Sequence, residues 1–305
     1  MTGENFEELF FDVDTPARLV VKNVRGMVTI HSGDDSQIKV RATKHLDTGN
    51  PEMTELILEK GEDGVVMAIA KYDNSDWFGF GLNQPCKVDF DITTPKECSV
   101  RLKTVSASSS VRGLIGDFRF KSVSGKLEIE DLSGSIEANT VSGDLLADNL
   151  NGPAELESVS GKIRATDCDF GKLYASTVSG KVTVFSSVGE GPYRFNSVSG
   201  KIKFIVPAKT ACTVQASSVS GRFKTDLQAT FSSIGRRNWH AELEGGGTEV
   251  RMKSVSGGLY LVTSEDSTGE SPEVKPKSRQ ERIEILTKLE SGELSVEDTL
   301  KKLGT

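Results

Sequence analysis

Apolar and polar residues alternate along most of this chain in short bursts, each closed by glycine or a small polar residue. In the middle of the chain the unit is Gly-x-φ-x-φ-x-x-φ-x, where φ is apolar. Instances are Leu127, Ile129 and Leu132; Ile136, Ala138 and Val141; Leu145, Ala147 and Leu150; Ala154, Leu156 and Val159; Leu173, Ala175 and Val178; Tyr193, Phe195 and Val198. A period of two predicts one half-buried strand in every nine-residue unit, with Glu128, Glu130, Glu137, Glu155, Glu157 and Arg164 facing water.

Alternate units close on one phrase. It reads Ser122-Val123-Ser124-Gly125, Thr140-Val141-Ser142-Gly143, Ser158-Val159-Ser160-Gly161, Thr177-Val178-Ser179-Gly180, Ser197-Val198-Ser199-Gly200 and Ser218-Val219-Ser220-Gly221, with glycines 18, 18, 19, 20 and 21 residues apart. Weaker copies fall midway, at Leu132-Ser133-Gly134 and Leu150-Asn151-Gly152. A unit this short cannot bury its own apolar face, so neighbouring units must stack. The predicted fold is all-β: a single-stranded parallel β-helix, or β-solenoid, with about 18–21 residues and two short strands per turn, its rungs about 4.8 Å apart. In this reading the glycine supplies a turn at positive φ, the serines bond nearby backbone in ladders, and the valine of each phrase points inward.

The same alternation extends beyond the regular stretch. Leu9, Phe11 and Val13 suggest an entry strand; Leu19, Val21 and Val24 lead into a first repeat closed by Gly26; residues 54–60 and 64–71 read as a hairpin; and Leu259 and Leu261 close the array. The predicted domains are a solenoid over residues 1–262, a polar proline-containing linker over 263–277, and a two-helix module over 278–305. Ser278 and Glu281 form a capping-box pattern before Ile283, Leu286 and Leu289, and a second short helix carries Val296, Leu300 and Leu303. Helices this short need a surface to dock on, so a protein partner is expected there.

A net charge of -7 gives no reason to expect nucleic acid as a partner, while peripheral contact with a membrane and self-association stay open. The acidic amino terminus, with Glu4, Glu7 and Glu8 and no apolar run, reads as no export signal, and the expected location is the cytoplasm or the inner face of the membrane. Cys86, Cys98, Cys168 and Cys212 lack metal-site spacing, and His31, His45 and His240 are scattered. No catalytic residue, metal or cofactor is predicted. Asp167 and Asp169, beside an expanded unit, are the nearest approach to an acid pair, and a bulged solvent-facing turn accounts for them. Two stretches depart from the pattern. Trp77, Phe78 and Phe80 form an aromatic loop that either caps the solenoid or meets a partner, and Arg236, Arg237 and Trp239 form a polar interruption able to meet an anionic group.

The Ser-Val-Ser-Gly phrases with their alternating strands, over roughly residues 17–262, resemble a bacterial β-strand-repeat family of unknown function named for adhesin candidates. The segment from Glu281 to Leu300 is similar to short carboxy-terminal helical modules of bacterial proteins. The resemblance implies a β-solenoid without a catalytic motif. Family members occur with envelope-stress or phage-shock components, and others are secreted or membrane-anchored. It implies a noncatalytic interaction or scaffold protein linked to envelope stress, with a surface adhesin or a glycan-binding or glycan-processing solenoid as the alternative.

Overall fold

The structure is a computed structural model and describes residues 4–33, 36–72, 84–234 and 237–263. The chain opens with β1 (Glu4–Asp12), β2 (Ala17–Asn23), β3 (Met27–Ser32), β4 (Gln37–His45), β5 (Thr54–Lys60), β6 (Val66–Tyr72) and β7 (Lys87–Thr94). The regular stretch follows as β8 (Cys98–Thr104), β9 (Ser108–Arg112), β10 (Ile115–Ser122), β11 (Leu127–Glu130), β12 (Ser133–Thr140), β13 (Leu145–Asp148), β14 (Ala154–Ser158), β15 (Ile163–Cys168), β16 (Leu173–Thr177), β17 (Val182–Ser186), β18 (Tyr193–Ser197) and β19 (Ile202–Val206). The chain then forms β20 (Cys212–Ser218), β21 (Phe223–Thr225), β22 (Ala229–Ile234), β23 (Asn238–Leu243), β24 (Thr248–Ser254) and β25 (Leu259–Thr263).

From β8 to β19 the even-numbered strands pair in parallel in one sheet and the odd-numbered strands in the other, so each pair of consecutive strands makes one rung. Both sheets turn their apolar residues inward on the period of two that the sequence shows. Phe118, Phe120, Leu127, Ile129, Leu145, Leu156, Ile163 and Val184 lie fully buried in the resulting core. Near its far end Phe195 and Tyr193 pack on Phe204, with ring centroids 4.8 and 5.7 Å away. The Tyr193 hydroxyl donates to the Phe170 carbonyl and accepts from the Gly189 amide at 2.8 Å, so the one polar atom of that ring is satisfied.

The turn phrase works differently from the sequence expectation. Strict alternation carries Ile136, Ala138 and then Thr140 to the core side, so the residue that goes in is the first Ser or Thr of each phrase. In the glycine-closed copies its hydroxyl bonds locally: Ser122 Oγ donates to the Gly125 carbonyl at 3.0 Å and Thr140 Oγ1 to the Gly143 carbonyl at 2.9 Å, whereas Thr104 Oγ1, in the copy closed by Ala107, is buried without a partner. The valine consequently points out, from 45% exposed at Val123 to 55% at Val219. The second serine reaches down one rung, Ser124 Oγ to the Val105 carbonyl at 3.1 Å and Ser142 Oγ to the Val123 carbonyl at 3.2 Å.

The glycines of the phrase do not need positive φ either. At Gly125, Gly143 and Gly161 the backbone lies outside the left-handed region, and what excludes a side chain is the rung beneath. A Cβ on Gly143 would stand 2.0 Å from the Gly125 carbonyl oxygen, and one on Gly161 the same distance from that of Gly143. Positive φ belongs to the opposite turns, at Gly134 and Gly152 and at the polar residues Asp131, Asn149 and Asp167.

The winding is not one uninterrupted parallel β-helix. In both sheets the first rung, β2 and β3, lies between β8/β9 and the later pair β6/β7. At the other end β24/β25 is inserted between β18/β19 and the earlier pair β20/β21. Antiparallel strands complete the ends: β4 on β7 and β1 on β4, the expected hairpin β5–β6, and β23 with β22 beside β20. Alternation identifies a rung but carries no record of its place in the stack, which is why the order was not readable. The predicted linker and helices lie outside the described residues.

Replacing Gly143 by Ala is expected to cost about 3 kcal/mol, because rigid backbone must give way in two rungs. Replacing the exposed Val141 by Ser should cost less than about 1 kcal/mol. Chemical denaturation of the two variants checks the contrast, and equal losses would refute the assigned turn roles. The four cysteines are free and buried, and burial pushes the Cys98 thiol up to about 12 and those of Cys168 and Cys212 to about 11. The neutral forms of Cys98, Cys168 and Cys212 therefore favour folding fully below the ordinary value of 9.0, and this contribution fades as pH rises towards 11 to 12. A thiol reagent at pH 8 should react only as fast as the chain unfolds.

Candidate functional site

Register converts residues far apart in sequence into neighbours on the outer face of the thirteen-stranded sheet. Arg101, Arg119, Glu137, Glu155, Tyr174 and Arg194 pair each with the next across β8, β10, β12, β14, β16 and β18. They form one row running across the rungs, with steps of about 4.8 Å. A second row beside it holds Lys103, Lys121, Asn139, Glu157, Ser176 and Asn196. At one end the tip of the β5–β6 hairpin closes over this face, where the Arg18 guanidinium donates to the Asp63 carbonyl. The result is an open groove of about 910 Å³ whose floor includes the first row.

The groove is divided by charge. In the first row arginines occupy the β8 and β10 positions, carboxylates those of β12 and β14, and Tyr174 and Arg194 follow; in the second row Lys103 and Lys121 precede Asn139 and Glu157. Glu137 is held by Arg119 Nε at 3.5 Å and Lys121 Nζ at 3.8 Å. Burial, then the charges of Glu155 and Glu137, push the Glu157 carboxyl above its ordinary value, with Lys121 opposing them. A polar ligand laid across the rungs would meet acceptors for its hydroxyls at the centre, an aromatic side chain beside them and guanidinium donors at either side.

The sequence reading placed Glu137, Glu155 and Glu157 in water without seeing that they converge. The signal was present: steps of 18, 18, 18, 19 and 20 residues lead from Arg101 through Arg119, Glu137 and Glu155 to Tyr174 and Arg194, matching the growth of the repeat. Of the residues singled out beforehand, Trp77, Phe78, Phe80, Arg236, Ile283, Leu286, Leu289 and Leu300 lie outside the described residues. Arg237 is exposed beside β23. Trp239 is half-buried, its ring 6.1 Å from that of Phe223, and lines a shallow second pocket of about 430 Å³ with His240, Arg251 and Lys253. That pocket shares no lining residue with the groove, but Arg251 and Lys253 extend the two rows onto β24, pairing with Arg194 and Asn196.

Catalytic chemistry finds no assembled centre among the described residues. His31 faces Thr93 and Asp91, and His45 Nε2 lies 2.8 Å from Asp89 Oδ2, so both serve contacts to β7. Asp167 sits exposed at positive φ where the β15–β17 register shifts, and Asp169 accepts from Ser187 Oγ at 3.0 Å, as expected of an expanded turn. Among the described residues no group of three or more His, Cys, Asp or Glu side chains could hold a metal ion, and no helix is long and apolar enough to cross a membrane.

Comparison with solved structures places this fold beside several bacterial proteins. One from Bacteroides fragilis, described as an adhesin candidate, is 14% identical with a TM-score of 0.50, over 85% of this chain and 97% of that one. One from Parabacteroides distasonis, described as a candidate lipid-binding protein, is 15% identical with a TM-score of 0.42, over 84% and 96%. A second protein of that organism, again described as an adhesin candidate, is 13% identical with a TM-score of 0.41, over 85% and 97%. No curated protein matches the chain. The expected cytoplasmic location is corrected by the comparison, since the Bacteroides fragilis protein of this fold is described as an adhesin candidate, and nothing in that description carries a link to envelope stress. A family model described as Toastrack DUF4097 matches residues 17–262, from the first strand of the β2/β3 rung to β25, and the chain belongs to that family.

Proposed function

We propose that the chain is a noncatalytic binding protein of the adhesin type, and that the groove on the thirteen-stranded sheet holds a polar chain, with a glycan the best match. The observation that carries this reading is the row Glu137, Glu155, Tyr174, Arg194, in which acceptors, an aromatic face and donors follow one another at rung spacing. Carboxylates accept from sugar hydroxyls, guanidiniums donate to ring and hydroxyl oxygens, and a tyrosine ring covers the apolar face of a sugar. The adhesin description of the Bacteroides fragilis protein is in keeping with it.

The position of Glu157, partly buried and beside two further carboxylates, supports a binding role over a structural one. Because the folded pKa of Glu157 is raised, its protonated form favours folding, and that contribution is lost as pH rises through the folded value. At neutral pH the ionised side chain works against folding, a pattern typical of residues kept for function.

A glycan panel followed by titration of the hits tests the proposal, and absence of any hit counts against it. Tyr174→Ala should weaken the best hit about tenfold, roughly 1.4 kcal/mol, with a small effect on stability. Glu157→Gln should weaken binding while raising the melting temperature at pH 7, a gain that disappears below the ordinary glutamate value of 4.5. A Glu157→Gln chain that binds unchanged would remove the carboxylate row from the site.

A protein partner for residues 278–305 remains a separate proposal supported by the amphipathic spacing of Ile283, Leu286 and Leu289. Co-purification with the full chain, lost from a chain ending at residue 263, is the expected result.

A further inference from the structure

The outward valines form a continuous feature that the groove does not use. Eight phrases, from Val105 through Val123 and Val198 to Val255 and Val219, stack in register along one edge where the two sheets meet, and each valine is 45% to 55% exposed. Seven rung steps of about 4.8 Å make an apolar ridge about 34 Å along its contour. The fold does not demand it. The phrase tolerates Ser or Thr at its first position, and Ala107 replaces glycine in one copy, yet valine stands at the exposed position in all eight. Exposed apolar stripes of this extent mark contact surfaces.

Charge around the ridge selects the partner. On the flank towards the thirteen-stranded sheet stand Lys103, Lys121 and Lys253, and on the other flank Lys126, Lys162 and Arg222, all exposed. Asp144 and Glu157 are the acids in the same two columns. Lys121 and Lys126 also touch Glu137 and Glu128, at 3.8 and 2.5 Å. At the opposite turns the exposed acids Glu97, Asp131, Asp167, Asp169 and Glu190 outnumber the exposed bases Lys96, Lys172 and Lys209. A chain of net charge -7 is thus polarised across its width, basic along the apolar edge and acidic on the far edge. Two copies meeting ridge to ridge would bring like charges together, and a polyanion alone would leave the valines without a role.

We propose that this edge is a membrane-contact surface, on which the valine ridge enters the interface of an anionic lipid bilayer while the flanking lysines and arginine engage the headgroups. A ridge one valine wide, repeated on eight rungs, suits an extended surface of uniform chemistry, and the polarised charge turns that edge towards it. Shallow apolar insertion and juxtamembrane basic residues each contribute weakly and act together.

Flotation of the full chain with vesicles tests this. Vesicles of about equal phosphatidylglycerol and phosphatidylcholine should bind at least tenfold more tightly than pure phosphatidylcholine, and added salt should weaken the binding. Val123→Ser, Val141→Ser and Val159→Ser combined should reduce it about tenfold, and Lys103→Gln with Lys162→Gln about threefold, with circular dichroism melts establishing that each variant is folded. Should the triple variant not fold, Val141→Cys labelled with an environment-sensitive dye gives an independent reading, since the native cysteines are buried; its emission should shift to the blue on the anionic vesicles. No preference for anionic vesicles, binding that survives loss of the valines, or no emission shift would each overturn the proposal. Capture by heparin without vesicle binding would overturn it too, in favour of a polyanion.

Discussion

Everything in this molecule depends on how closely one rung can lie on the next. Parallel strands set the spacing at about 4.8 Å, and the chain must hold that spacing through its corners as well as along its strands. At the corners the limit is steric: with a Cβ placed 2.0 Å from the carbonyl oxygen below, Gly143 and Gly161 admit no side chain. Hydrogen bonding then completes the corner, because the buried Ser or Thr hydroxyl satisfies the glycine backbone and the outer serine ties each turn to the rung beneath. One corner geometry, repeated, keeps all later positions in register.

That register explains what could and could not be read from the sequence. Strand positions were legible because Ile136, Ala138 and their equivalents alternate against charged neighbours, and rung length was legible from the glycine spacing. The sidedness of the phrase was misread because valine is more apolar than serine. Alternation from Ala138 places Thr140 inside whatever its polarity, since a nearby carbonyl accepts its hydroxyl. The groove was hidden for a different reason. Glu137, Glu155 and Tyr174 are ordinary outward residues in their own strands, and they become a site only when neighbouring rungs are superposed.

The ends show where periodicity stops being informative. A stack of rungs exposes core at both termini, and this chain encloses its first and last regular rungs with strands that arrive out of sequence order. β2/β3 and β24/β25 sit inside the stack and pair on both sides, while antiparallel strands take three of the four outer positions and the three-residue parallel strand β21 takes the fourth. Edge strands with mixed register and charge, such as β1 with Glu7 and Glu8 on an antiparallel neighbour, do not template further parallel rungs. The array therefore has a definite length, about which its internal repeat says nothing.

Definite length and fixed register together make the surface a ruled one. A side chain on one strand acquires neighbours every rung, so a modest bias in composition becomes a row: carboxylates with a tyrosine on one face, valines along one edge, acids along the other. Buried residues are constrained to fill the core, but an outward position in a repeat is free to drift. Drift is visible in the first groove row, where Arg, Glu and Tyr follow one another, and absent from the exposed valine position. The groove row is therefore individualised, as recognition of a particular ligand requires, whereas the valine edge is uniform, as suits a partner that presents the same chemistry along its whole extent.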